Sequence, residues 1–340
     1  MVTYRGYKTQ VQYVSETSYG SGGSIGSAIK GKLQNVTLNH SNNFIRTTGL
    51  GDGRNETFVG WGNYEATWSM EYEISDFDFL QYGVGVLGGA GSAADPYFLE
   101  EADFRSYSGT GLKSFKLEVA SKDRTGGTDD VDTAVGCVIN TIGISLELGA
   151  SVKCTLSGFA KKILATNPAS SFTASTTKPW IFSQGRFKWD GTSIRRIQSA
   201  TINVNNNYDP DMGREIGSRF PEEMEPGLRK YDWTLVVKMQ SDLANSMRDD
   251  FYGMADQPYP GSGTGTGTGE PAFKDIIFDL SQGDASGSKK AQIKLSDNAV
   301  NDISKPINIG ENLVELTLNG SAKKATTDIN NKLIKWWTVS

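Results

Sequence analysis

The residues able to do chemistry in this chain are few and scattered. Its single histidine, His40, lies where a strand runs into a loop. A Ser-His-Asp or Cys-His site would have to be built on that residue alone, and an exposed loop histidine is the plainer reading. Cys137 and Cys154 stand in strand-like runs at a spacing that fits no zinc pattern, so they read as buried free thiols. Glu65, Glu71 and Glu73 share one side of a strand, which suits the paired acids of a glycosidase but equally a solvated acidic face. Gly26-Ser27-Ala28-Ile29-Lys30-Gly31-Lys32-Leu33 nearly spells a phosphate-binding loop. Leu33, however, takes the place of the magnesium-holding hydroxyl, and a strand follows where a helix should. Gly83-Val84-Gly85-Val86-Leu87-Gly88 matches the dinucleotide pattern without its strand-to-helix setting. The carboxylates between Asp209 and Glu225 lack calcium-loop spacing. The sequence therefore assigns no catalytic, cofactor-binding or metal-binding residue.

The elements that carry these residues occur twice. Leu33 to Phe44 lines up without a gap on Ile197 to Tyr208, an offset of 164. Tyr64 to Trp68 falls on Tyr231 to Leu235 at an offset of 167, so three residues are gained between the two limbs. In the first copy Tyr64, Ala66, Trp68, Met70, Tyr72 and Ile74 alternate with polar residues, the period of a half-buried strand. Ser75-Asp76 and Ser241-Asp242 each open a short helix closing at Gly83 and Gly253. Each helix runs into a flexible insertion, 83–96 or 253–271, the latter with a Gly/Thr run at 261–269. Strands from Lys113 to Val119 and from Lys274 to Leu280 correspond, as do closing hairpins at 139–162 and 300–324. The limbs at 39–64 and 203–231 are joined by long stretches with little core character, and such loops are usually functional.

The boundaries follow: an N-terminal arm at 1–30, one domain at 31–165, a linker at 166–180, a second domain at 181–324 and a C-terminal tail at 325–340. The strand around Val11 and Tyr13 in the arm can add to a sheet edge of its own chain or of a neighbour. The chain has 340 residues, 34 Lys plus Arg and 39 Asp plus Glu, for a net charge of −5 without a basic block, which argues against stable nucleic-acid binding. No apolar run approaches a bilayer span and no signal peptide opens the chain, so a cytoplasmic, soluble product without membrane contact is expected.

The opening Thr3 to Gly20, the Gln34-Asn35-Val36-Thr37-Leu38 strand, the alternating strand from Tyr64 and the closing Gly158-Phe159-Ala160-Lys161-Lys162 resemble the major tail tube proteins of long-tailed phages. The likeness runs over nearly the whole chain and rests on the order of the motifs. It implies a mainly β protein of two tandem antiparallel β-sandwich or barrel domains, each with one short α-helix, that is structural and not an enzyme. Such tubes are typically hexameric rings of single domains, so a tandem chain implies a trimeric ring with pseudo-sixfold symmetry. Rings would stack around a DNA channel in the virion tail after assembly in the host cytoplasm. The implied partners are further copies, a tape measure protein, a tail terminator and tail-tip or baseplate proteins. Glu65, Glu71, Glu73 and Asp232 would face the lumen. Arg46, Asp52, Arg54 and Glu56 in the first loop, and Arg214, Glu215, Arg219, Glu222 and Glu223 in the second, would contact the next ring, as would the arm. The alternatives are the tube of a contractile injection or secretion system and, from another class, a two-domain carbohydrate-binding protein or glycosidase.

Overall fold

The computed structural model describes residues 4–50, 56–107, 111–123, 129–166, 169–238, 273–304, 315–323 and 332–339. Asp52, Arg54, the second short helix and the Gly/Thr run lie outside them. The first half contains β1 (Tyr4–Ser15), β2 (Ser27–Ala28), β3 (Gly31–Thr47), β4 (Phe58–Ile74), β5 (Gly85–Gly88), β6 (Tyr97–Glu101), β7 (Phe115–Asp123), β8 (Asp130–Glu147), β9 (Lys153–Ala160) and β10 (Lys162–Ala165). A 3-10 turn at Asp78–Leu80 leads into α1 (Gln81–Val84), and the side chain of Asp76 accepts the Phe77 N–H at 2.9 Å. The second half contains β11 (Gly185–Trp189), β12 (Thr192–Ile194), β13 (Ile197–Asn205), β14 (Lys230–Lys238), β15 (Lys274–Ser281), β16 (Lys289–Ser304), β17 (Glu315–Ala322) and β18 (Lys332–Thr338). Every ladder is antiparallel.

Pairing shows the repeat strand by strand. β1, β2, β3, β4, β7, β8 and β9 have counterparts in β11, β12, β13, β14, β15, β16 and β17, with the same neighbours. Irregularities recur at matching places: Leu33/Asn35 and Ile197/Ser199, Phe115/Leu117 and Lys274/Ile276, Ile139/Thr141 and Val300/Asp302. β8 and β16 each kink where a residue takes positive φ, Gly136 at 67° and Asp297 at 51°. Up to Cys137 β8 pairs with β7 and β10; from Val138 on, with β9 and β13.

These ladders correct the register. Trp68 lies opposite Gly158 and Trp233 opposite Gly320, which places Trp68 on Trp233 at an offset of 165 rather than 167. One residue, not three, is gained between the limbs. Likewise Leu117 corresponds to Ile276, an offset of 159 in place of 161. Both slips are of two residues, which leaves every side chain on its face and so escapes a reading by alternation. Two other segments also differ from their expected form. The insertion after α1 contains the β5–β6 hairpin, and the C-terminal tail forms β18, laddered between β6 of the first half and β16 of the second.

Alternation puts Tyr64, Ala66, Trp68, Met70, Tyr72 and Ile74 inside, each burial of a large apolar side chain contributing roughly 1.5–3 kcal/mol. Phe79 packs edge-on against Tyr13 of β1 and Phe115 of β7, at 4.6 and 5.1 Å between ring centroids, and Phe115 meets Trp68 at 5.4 Å. β1 thus belongs to its own chain's sheet. The buried cluster continues through Trp180 into the second half, where Trp189 packs on Trp233. Residues 169–180 are pinned across the first half: Glu118, itself buried, accepts both the N–H and the hydroxyl of Ser170, and the Trp180 N–H donates to the Ile74 carbonyl at 3.0 Å.

Candidate assembly interface

The strands β3-β4-β9-β8-β13-β14-β17-β16 form one continuous run through both halves. One face is the core. The other carries Glu65, Glu71, Glu73 and Asp232, which the fold does bring onto a common surface, dispersed among Ser, Thr and Asn. Glu71 pairs with Lys153 at 3.4 Å, Glu65 accepts from Asn43 at 2.8 Å, and Asp232 accepts from Ser321 at 2.8 Å. Thr141 with Ser157 and Thr234 with Asn319 continue the polar lattice at 2.6 and 2.8 Å. These carboxylates are spread along an open sheet face and do not converge.

The chemistry-bearing residues are placed accordingly. His40, exposed at the margin of the core-side face of β3, has its Nδ1 3.0 Å from the Tyr64 hydroxyl. Cys137 and Cys154 are buried and free, and burial pushes the Cys154 thiol up to about 12, far from a reactive thiolate. The Gly26–Leu33 stretch runs through β2 into β3, and the Gly83–Gly88 stretch leaves α1 for β5. Among the described residues no cluster of three or more His, Cys, Asp or Glu is placed to hold a metal ion.

The halves meet along β8 and β13, paired from Thr141↔Asn205 to Glu147↔Ser199. Beyond β13 the chain turns at Asn207, φ 49°, and folds back over the first half. Asn206 is fully buried. Its side-chain amide donates to the carbonyls of Gly83 and Ile139 at 2.9 and 2.8 Å, and its oxygen accepts from Arg229 Nε at 2.7 Å. Asn140, at the β8 bulge, accepts the Tyr208 N–H on its side-chain oxygen at 2.9 Å. Tyr208 packs with Val138 and Met224, and burial pushes its phenol up to about 12 even though Arg105 and Arg229 favour the ionised form. Arg105 donates to the Met224 carbonyl and lies over the rings of Tyr19 and Tyr208.

The expected loop-contact residues divide into two groups. Arg214 donates to the Tyr64 carbonyl at 3.1 Å and pairs with Asp211 at 2.7 Å, Arg219 donates to the Gly62 carbonyl at 3.0 Å and lies over Trp61, and Glu222 pairs with Lys161 at 2.6 Å. These three hold the second loop to the first half, while Glu215 and Glu223 remain exposed. Of the expected 44–62 loop, residues 44–47 and 58–62 are instead strand, the outer part of the β3–β4 ladder, and Arg46 pairs with Glu56 at 3.2 Å. The junction residues Asn140, Asn206 and Arg105 do not stand out in the sequence. The signal available was the recurrence of Asn at 42 and 206 and at 140 and 301.

Among the described residues this duplicated strand run ends on two edges with no further ladder and shows a polar open face, features that suit a structural protein assembling with copies of itself. Consistent with this, the family model described as phage tail tube protein matches residues 6–322, and the chain belongs to that family. It is a structural component of the phage tail that assembles with itself into a tube and works alongside other tail proteins. No curated protein matches the chain.

Proposed function

We propose that three copies close head to tail into a pseudo-sixfold ring, with 31–165 and 181–324 as the two tube domains, and that the rings stack into a channel for DNA delivery. The observation that carries this reading is the β8–β13 joint. Among the described residues, β3 is laddered only to β4, and residues 299–304 of β16 only to β17. These edges are the counterparts of β13 and β8. An exposed edge is a template for pairing, and repeating one heterologous joint between copies closes a ring. Transferring the internal register places Asp302 opposite Ser41 and Ile303 opposite His40 of the next copy.

In such a ring the polar face with Glu65, Glu71, Glu73 and Asp232 lines the lumen, where carboxylates repel phosphate and keep DNA from sticking. Arg46, Asp52, Arg54 and Glu56 of the first-half connection reach the next ring together with Glu215 and Glu223, presented by the loop that Arg214, Arg219 and Glu222 anchor. The ends of the tube would meet the tape measure, terminator and tail-tip proteins. Light scattering and negative-stain microscopy of the purified chain test the ring. The expected result is a mass in multiples of three chains and tubes showing six similar lobes per ring; a persistent monomer, or rings with another copy number, overturns the proposal.

A further inference from the structure

The internal joint also shows what the outer one lacks. On the first half, the surface around Val138, Phe159 and Ala160 is covered by the second half's loop, which leaves a cleft of about 180 Å³. Its counterparts on the second half, Ala299, Ser321 and Ala322, line a cleft of about 640 Å³ with Tyr231. Beside it Tyr208, 6% exposed, packs on Val138 and Phe159. The residue that corresponds to Tyr208 is Phe44, 50% exposed and stacked at 5.1 Å on Trp61, itself 60% exposed. Among the described residues Phe44 stands at the β3 end of the eight-strand run and this cleft at the opposite, β16 end. The exchange of Val138 for Ala299 and of Phe159 for Ser321 removes side-chain volume on the receiving side, where a hairpin bearing two stacked aromatics would arrive.

We infer that this cleft is the seat of Phe44 from a second copy, its ring lying against Ala299 and Ser321 as Tyr208 lies against Val138, with Asn42 meeting the bulge at Asn301 as Asn206 meets Asn140. The inference rests on the ring reading above. The β3 bulge between Asn42 and Phe44 sits at the position where β13 ends and its chain turns, so both copies break regular pairing where the aromatic leaves the ladder. A half-exposed Phe–Trp pair on a hairpin is the kind of rigid aromatic anchor that dominates an interface once desolvated.

The double variant Phe44→Cys with Ala299→Cys, made in the full chain and oxidised after assembly, tests the seat. Non-reducing gels should show species of two and three chain masses that neither single variant gives. Rings or tubes that form without this cross-link, or a cross-link confined to single chains, overturn the seat and leave the ring standing. A chain that light scattering finds monomeric throughout overturns both. Phe44→Asp should raise the concentration needed for assembly about tenfold or more while leaving the monomer's melting temperature unchanged; assembly equal to the parent's overturns the inference.

Discussion

The two halves of this protein share a strand plan and differ in what they do with the connection between its first two long strands. In the first half, β3 and β4 run on into a hairpin that exposes Phe44, Ile45, Phe58, Val59 and Trp61. In the second, β13 stops at Asn205 and the chain lies down on its neighbour, burying Tyr208 and Met224. Among the described residues the contact that Tyr208 makes within the chain has no counterpart made by Phe44. Where the halves agree, a substitution should have the same effect in either; where they differ, only the buried member should matter to the monomer. The largest effect should come from the agreement. A Cβ on Gly158 would sit 1.8 Å from the Val138 carbonyl oxygen and 3.0 Å from Trp68 Nε1, and one on Gly320 2.3 Å from both the Ala299 oxygen and the Trp233 ring. Gly158→Ala and Gly320→Ala should each destabilise by about 3 kcal/mol through overpacking against backbone, read as matching drops in urea midpoint. A tolerated change in one half would break the equivalence of the two Trp–Gly pairs.

The next effect separates the halves. Asn206→Ala removes the amide that satisfies the Gly83 and Ile139 carbonyls and the oxygen that receives Arg229, and should cost about 2 kcal/mol of monomer stability. Its counterpart Asn42→Ala removes a solvent-exposed bond from Arg219 and should stay within about 0.5 kcal/mol. Equal losses in denaturant titration would contradict the claim that only one copy of the contact is made within the chain. A smaller contrast lies at the kinks. Gly136→Ala puts a side chain at φ 67°, against Lys161, and should cost about 1–2 kcal/mol, whereas Asp297→Gly accepts the same backbone freely and should shift stability by about 0.5 kcal/mol or less.

Legibility in the sequence follows the physics of the strand. Alternation names a face, so all six inward residues from Tyr64 to Ile74 could be read, and so could the outward carboxylates. Alternation says nothing about displacement by two, and the repeat was therefore aligned two residues away at both Trp68 and Leu117. The true register is set by the fit of Gly158 under Trp68 and of Gly320 under Trp233, contacts between strands far apart in sequence. The same holds for Glu16, buried and accepting the N–H groups of Gly20 and Gly136 at 2.9 Å; nothing local distinguishes it from a surface glutamate. The 44–62 segment was read as loop because its apolar residues lack an inward partner. Residues 44–47 and 58–62 are strand because β3 and β4 pair with each other, which leaves those apolar residues exposed.

The smallest effect concerns how firmly the second loop is fastened. Glu222 is held below the usual carboxylate range by its hydrogen bonds from Lys161 and Ser218 and by the charge of Lys161. A carboxylate whose folded pKa is lowered contributes stability that is present above its unfolded value and is lost as pH falls through the folded one. The bond is largely solvated, so its contribution to global stability is small, as for other surface pairs. Its loss should appear locally instead, as faster amide exchange around 213–222, where the Glu222 N–H donates to the Gly213 carbonyl, once the pH drops below the ordinary carboxylate range. Glu222→Gln should show that faster exchange at neutral pH and no further change on acidification. Among the described residues no counterpart of the Lys161 bond ties the first-half hairpin to another element, its Arg46–Glu56 pair being internal, so its exchange should not follow the same titration; a shared profile would mean that the loop and the hairpin are not fastened differently after all.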